Sequence, residues 1–421
     1  MNRVRAGRVA ATAFSLLGAL VVAVTVGLGG ASARSTSFKL TIGDIEAYTG
    51  DLGSLGAPAD KAVKLGVQQL NAAAKKAGVG SSYSLVTADT QTDPQAAISA
   101  ARQVVGRGAT CLTGPLSTPE SIAVLNAVTK VRHIPMFPTA TSTALRNADD
   151  AHTIFRTAPP DNLQARALVT AVAQFVHGAK GKTVALGYIN LPYGVGIYQV
   201  FSKGWKARGG KVVAVGYDEQ QASYDSEAQK LASAKAAAFV FADYPDTFGK
   251  VGAALLRSGK YKASKAFFSD TLALSSIPST IPAAALNGSY VTAAGNPTGT
   301  PQAKAFNRLY TKTSGPKSGA LLANSFDSAI LCGLAAVAAH SSSPAKIAAQ
   351  IPKISGPSGK PYTYLQLAKA MKAVAAGKHV HYIGVSGPIN FNARGDTTAA
   401  LYDLSRWTNG KLVLKRQLKV K

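Results

Sequence analysis

From Phe38 onward the chain alternates short apolar runs with segments of helical period, in two consecutive series. This constrains the fold more than any other feature. Strands of four to eight residues separated by helices pair in parallel, and the sheet must then be covered on both faces. In the first series strands are predicted at Phe38–Ile45, Ser84–Ala88, Ala109–Thr113 and Ile134–Thr139. Pro58 is predicted to open a helix carrying Ala59, Val63, Val67, Leu70 and Ala74 at helical spacing. Asp93-Pro94 and Thr118-Pro119-Glu120 are cap-plus-proline starts for two more. The second series places strands at Thr183–Ile189, Lys211–Tyr217, Ala237–Ala242 and Ala266–Ser269, with helices at 192–208, 224–234 and 246–258. Further helices are expected near 301–313, 321–339 and 363–376, and a surface loop over the Ser-, Pro- and Gly-rich stretch 341–362. The tail reads as strands at Pro388–Phe391, Ala400–Trp407 and Leu412–Leu414, with a turn at Asn409-Gly410.

A chain of 421 residues can build two cores. No low-complexity linker parts the two series, so the expected fold is α/β, with two doubly wound parallel-sheet lobes joined by short crossings. Arg3, Arg5 and Arg8, an uncharged run from Val9 to Gly30, and Ala31-Ser32-Ala33 have the order of a signal peptide over residues 1–33. The run is also long enough to stay as an anchor. The mature chain is thus expected to be exported and extracytoplasmic. In that compartment Cys111 and Cys332 can pair, or remain as two buried thiols.

The formal charge is +26, and loss of the three leader arginines leaves +23. Such a field attracts polyanions. The Lys and Arg residues are scattered and form no stripe interleaved with aromatics, so nucleic acid is not the expected partner. Electrostatic contact with an anionic cell-wall or membrane surface suits an exported chain better.

Catalytic and cofactor motifs fail on inspection. Lys182-Thr183 ends a stretch that lacks the first phosphate-loop glycine, with Val176 in its place, and the stretch precedes a strand instead of following one. Gly194-Val-Gly196 lacks the third dinucleotide glycine, since Gln199 stands there. His379 and His381 would share a strand face but have no ligand partner nearby. Ser314-Gly-Pro-Lys317 and Ser343-Pro-Ala-Lys346 match a nucleophile motif by letter, in turns. No catalytic group, metal or cofactor is expected.

In open parallel sheets ligands bind at the carboxyl ends of the strands. There the first series carries Gly114-Pro-Leu-Ser-Thr118 and Thr139-Ala-Thr-Ser142, two hydroxyl clusters, the former at a helix start. Hydroxyls and free amides suit a carboxylate. The second series offers Tyr193, Tyr244 and Asp270 at successive strand tips. Tyrosines can close over a ligand and a carboxylate can hold an ammonium.

In the order of its motifs the chain resembles the branched-chain amino-acid-binding proteins of ABC transporters, which have the type I periplasmic-binding fold. The resembling segments are Thr49-Gly-Asp-Leu-Gly53 with its flanking strand and helix, Phe155-Arg-Thr-Ala158, Asn190-Leu-Pro-Tyr-Gly194, and Ser386-Gly-Pro-Ile-Asn-Phe391 with Gly395-Asp396. The resemblance implies a three-crossing hinge between lobe I, 36–158 and 292–387, and lobe II, 159–291 and 388–421. It implies that Ser117 and Thr118 grip a ligand carboxylate beside Thr139, Ala140 and Thr141, and that Tyr193, Tyr244 and Asp270 close from lobe II. Leu55 falls where some relatives carry an aromatic, and Leu116 adjoins it. The implied function is capture of a small amino acid, or a related carboxylate or amide, by a monomer that delivers it to an ABC transporter permease. The alternatives from the residues alone are a basic wall-polymer or nucleic-acid binder, or an enzyme on the same scaffold.

Overall fold

The computed structural model describes residues 37–314 and 321–420. The expected leader at 1–33 and Lys317 lie outside them. Two sheets organise the chain. The first has the order β2-β1-β3-β4, all parallel, from β1 (Phe38–Glu46), β2 (Ser81–Asp89), β3 (Ala109–Thr113) and β4 (Met136–Phe137). The second is seven-stranded. Its parallel part is β5 (Thr183–Ile189), β6 (Lys211–Tyr217), β7 (Ala238–Ala242), β8 (Ala266–Phe268) and β9 (Tyr290–Gly295), in the order β9-β8-β7-β5-β6. A small parallel pair follows, β10 (Lys360–Thr363) with β11 (Val380–Ile383). The tail hairpin β12 (Ala400–Thr408) and β13 (Lys411–Val420) adds to β9 antiparallel.

Helices cover both faces. In the first lobe α1 (Gly53–Ala77) lies on one face, and α2 (Pro94–Gly106) and α3 (Thr118–Val124) on the other. The second sheet is flanked by α4 (Asp161–Phe175), α5 (Pro192–Lys206), α6 (Asp225–Ala232) and α7 (Pro245–Arg257). The chain then returns to the first lobe with α8 (Pro301–Ser314), α9 (Leu322–Ala339), α10 (Pro344–Ser355) and α11 (Leu367–Ala375). Helix α9 is apolar and long enough to cross a membrane, but nearly all of it is buried inside this lobe. It packs closely on α1: a Cβ at Gly66 would stand 2.8 Å from that of Ala329. Apolar side chains such as Leu70, Phe326 and Ile330 fill the seam, each contributing about 1.5–3 kcal/mol on burial. The two cysteines are joined, so Cys111 on β3 is tied to Cys332 on α9.

Several local expectations shift. The first helix begins at Gly53, with Pro58 inside it and the Pro58 carbonyl accepting from the Tyr310 hydroxyl at 3.0 Å. The predicted strand at 134–139 shortens to two residues. The stretch 341–362 is not a loop, because Ser343-Pro344 starts α10 and Ile347, Ile351 and Ile354 recur on its buried face. Residues 388–391 make only isolated bridges, Ile383 to Pro388 and Phe391 to Thr397. Helix α4 had no sequence prediction. Strand β9 stays in the second sheet through Gly295, four residues past the boundary expected at 291. Ile389 and Phe391 still pack on the first lobe, and the tail rejoins the second sheet only at Ala400.

Candidate functional site

At the carboxyl ends of both sheets the lobes meet across a narrow cleft with about 40 Å³ of free space between its walls. The first lobe supplies Leu52, Leu55, Leu116, Thr118, Thr139, Thr141 and Leu321; the second supplies Tyr193, Tyr244, Asp270 and Thr271. The lobes touch at its edge, where the Ser142 hydroxyl donates to the Pro192 carbonyl at 2.8 Å.

Eight of the ten residues picked out from the sequence line this one space. Ser117 and Ala140 do not. Ser117 is the N-cap of α3: its Oγ accepts from the Glu120 amide at 3.4 Å, and its own amide donates to Glu120 Oε2 at 2.9 Å. That capping box uses donors that the sequence reading left free for a ligand. Ala140 is buried, and its carbonyl accepts from Arg156 Nη1 at 3.4 Å. Leu52, Thr271 and Leu321 were missed. Leu52 lies in the Thr49–Gly53 loop and Thr271 follows Asp270, so both had a local signal. Leu321 had none: it stands at the N-cap of α9 in a left-handed conformation, φ 64°, and is brought in from a distant part of the chain.

On the second-lobe wall the Tyr193 hydroxyl donates to Asp270 Oδ1 at 2.8 Å. The Tyr193 and Tyr244 rings stack with centroids 5.7 Å apart. Thr271 Oγ1 donates to the Asp243 carbonyl, and Asp243 accepts from the Tyr217 hydroxyl and the Tyr244 amide at 2.8 and 2.7 Å. Tyr244 is therefore held from its own backbone. On the facing wall the Thr139 Oγ1 is buried without a hydrogen-bond partner. Burial pushes the Asp270 carboxyl up, and the Tyr193 hydrogen bond opposes that. Asp161, at the start of α4, is pushed well up by burial and by the charge of Asp270. None of the lining residues is basic, and among the described residues no cluster of His, Cys, Asp and Glu could hold a metal ion.

Two α/β lobes that meet in a cleft at their strand ends, lined by leucines as well as hydroxyls, define the two-lobed binding-protein class. The sequence profile of one such family, periplasmic binding protein, matches residues 39–411. The chain belongs to that family. It is 29% identical over 233 residues to the Leu/Ile/Val-binding protein homolog 3 of Brucella melitensis biotype 1, a match covering 54% of this chain and 60% of that one. It is 29% identical over 171 residues to the Leu/Ile/Val-binding protein BraC3 of Rhizobium johnstonii, covering 40% and 45%. The matched stretch thus spans less than two thirds of each of these relatives. Among solved structures, the leucine-binding protein LivK of Thermotoga maritima superposes with a TM-score of 0.72 at 19% identity, covering 90% of this chain and 98% of that one. LivJ of Streptococcus pneumoniae, solved with isoleucine, gives 0.72 at 18% identity over 91% and 100%. A solute-binding protein of R. palustris solved with benzoate gives 0.67 at 17% identity over 91% and 97%. These likenesses establish the type I periplasmic-binding fold.

Proposed function

We propose that the protein captures a small amino acid, or a related carboxylate or amide, by closing its two lobes on it, and hands it to an ABC transporter permease. The observation that carries this reading is the convergence of Thr118, Thr139 and Thr141 from one lobe with Tyr193, Tyr244 and Asp270 from the other on one cleft. The threonine hydroxyls face the carboxylate or amide end of the ligand. Asp270, steadied by Tyr193, takes its ammonium. Leu52, Leu55, Leu116 and Leu321 cover its apolar part. Closure follows because ligand bound to both walls shifts the open–closed equilibrium toward the closed form, which a permease can recognise. The lobes in this reading are 37–158 with 296–398, and 159–295 with 399–420. The protein works as a monomer outside the cytoplasmic membrane, the setting of its family. Its surface charge, including Lys411, Lys415, Arg416 and Lys419 on the exposed edge strand β13, favours contact with anionic wall or membrane polymers.

The test is a thermal-melt screen of the purified protein against amino acids, amides and small carboxylates. One or a few compounds should stabilise it in proportion to the logarithm of concentration, by about 2.7 kcal/mol at a hundred times Kd. Thr118→Ala and Asp270→Ala should each remove the shift. If both variants respond like the parent, the cleft is not the binding site.

A further inference from the structure

The chain carries 46 basic and 20 acidic residues, yet its cleft has the opposite character. Among the described residues Asp270 is the one charged residue lining it. Asp161, fully buried, stands against Asp270 and Thr141, and the charge of Arg156 reaches it only as a smaller opposing effect. Glu120, also fully buried, occupies the N-terminal turn of α3, next to the lining residue Thr118, among hydroxyls and amides and with no cation against it. Glu46, buried on β1, has both oxygens unpartnered and lies close enough to Glu120 for their charges to interact. Tyr244 feels the charges of Glu120, Glu219, Asp161 and Asp51. No ion pair among the described residues involves any of these acids. The buried cation Arg156 donates to Asp396 and to the carbonyls of Ala140 and Ser142, and its charge opposes the upward push on Asp161 without reversing it.

A ligand carboxylate entering here meets three threonine hydroxyls and, among the described residues, no lining cation, with Asp161, Glu120 and Glu46 behind them in a low-dielectric interior that pushes these acids toward the protonated form. A ligand ammonium meets Asp270 and favours the ionised form of it and of the acids behind it. We infer that the cleft selects its ligand by net charge, so that the ammonium is the required anchor, the carboxylate can be replaced by an amide, and anions that lack an amine are rejected. This rests on the reading of the cleft as the ligand site. It separates amino acids and amino amides from the simple carboxylates that the same cleft shape would admit.

The experiment uses matched sets at pH 8: leucine, leucinamide and 4-methylpentanoate, with the valine and phenylalanine counterparts, titrated calorimetrically. In at least one set the amino acid and its amide should bind within about tenfold of each other, and the deaminated acid at least about tenfold more weakly. Glu120→Gln keeps an oxygen to accept the Ser117 amide. It should strengthen binding of the deaminated acid several-fold while changing that of the amino acid less than twofold. A deaminated acid that binds as tightly as its amino acid, or a gap that Glu120→Gln leaves intact, would overturn charge selection and leave the cleft reading standing. Failure of all three sets would sink the amino-acid reading itself.

Discussion

Arg156 Nε donates to Asp396 Oδ1 at 2.6 Å, joining two of the interlobe crossings that lie 240 residues apart in sequence. The same guanidinium donates from Nη1 to the Ser142 carbonyl at 2.7 Å and fixes the loop that presents Thr139 and Thr141 to the cleft. Both residues are buried. Breaking a buried pair from one side costs about 3–5 kcal/mol when the remaining charge is uncompensated, and less here because Arg146 Nε stays 3.3 Å from Asp396 Oδ2. Arg156→Met is therefore expected to lower the unfolding free energy by up to that amount, seen as a lower urea midpoint, and to weaken ligand binding through the freed 139–142 loop. Equilibrium denaturation with and without ligand separates the two effects.

Tyr193→Phe removes the hydroxyl that Asp270 accepts and nothing else from the wall. A hydrogen bond to a charged group is worth about 1.5–3 kcal/mol, so ligand affinity should fall at least about tenfold. The same bond holds the Asp270 carboxyl down against burial. Its loss moves that carboxyl further up, and the acid limb of ligand binding should shift to higher pH. Titrations from pH 5 to 8 on parent and variant show this as a displaced curve.

The alternation of strands and helices was legible because each is local: Asp93-Pro94 caps and starts α2 as its residue types require, with the Asp93 carboxylate accepting two amides. The lining of the candidate cleft was legible where it is built from strand tips, as at Thr118, Tyr193 and Asp270. What escaped was set by long-range packing. Ser117 looked like a ligand donor because Glu120, three residues on, was not recognised as its capping partner. Leu321 reaches the cleft only because α9 is docked on α1. Helix α10 lay hidden in a stretch whose Ser, Pro and Gly residues mark its two ends. The pairing of Cys111 with Cys332, left open by the sequence, needed β3 and α9 to be placed side by side.

That disulfide closes a loop of 221 residues within the first lobe and across the second. By the chain-entropy argument, removing it should cost about 2–5 kcal/mol. The Cys111→Ala, Cys332→Ala double variant, and the parent under strong reductant, should both melt lower. The fold should survive in each, since α9 remains anchored on α1 by apolar contacts. Differential scanning calorimetry with circular dichroism checks both points.

Asp243 ties stability to pH. It is fully buried at the end of β7, and burial pushes its carboxyl up to about 8 against the hydrogen bonds from Tyr217 and the Tyr244 amide. In the unfolded chain the same group ionises at an ordinary carboxylate value, near 3.8. Between these two values the native state holds a proton that the unfolded state has lost. The contribution is complete below the unfolded value and disappears as pH rises through the folded one. At about 1.4 kcal/mol per pH unit when fully protonated, Asp243 should account for about 2 kcal/mol of lost stability between pH 6 and 8. Asp243→Asn reproduces the protonated acid: its Oδ1 can accept the Tyr244 amide and its Nδ2 can donate to the Tyr217 oxygen. The variant should match the parent only below about pH 3.8, already exceed it by about 3 kcal/mol near pH 6, exceed it further near pH 8, and show a flatter slope. Urea unfolding at both pH values decides the point, because equal slopes in parent and variant would mean that this carboxyl is ionised throughout.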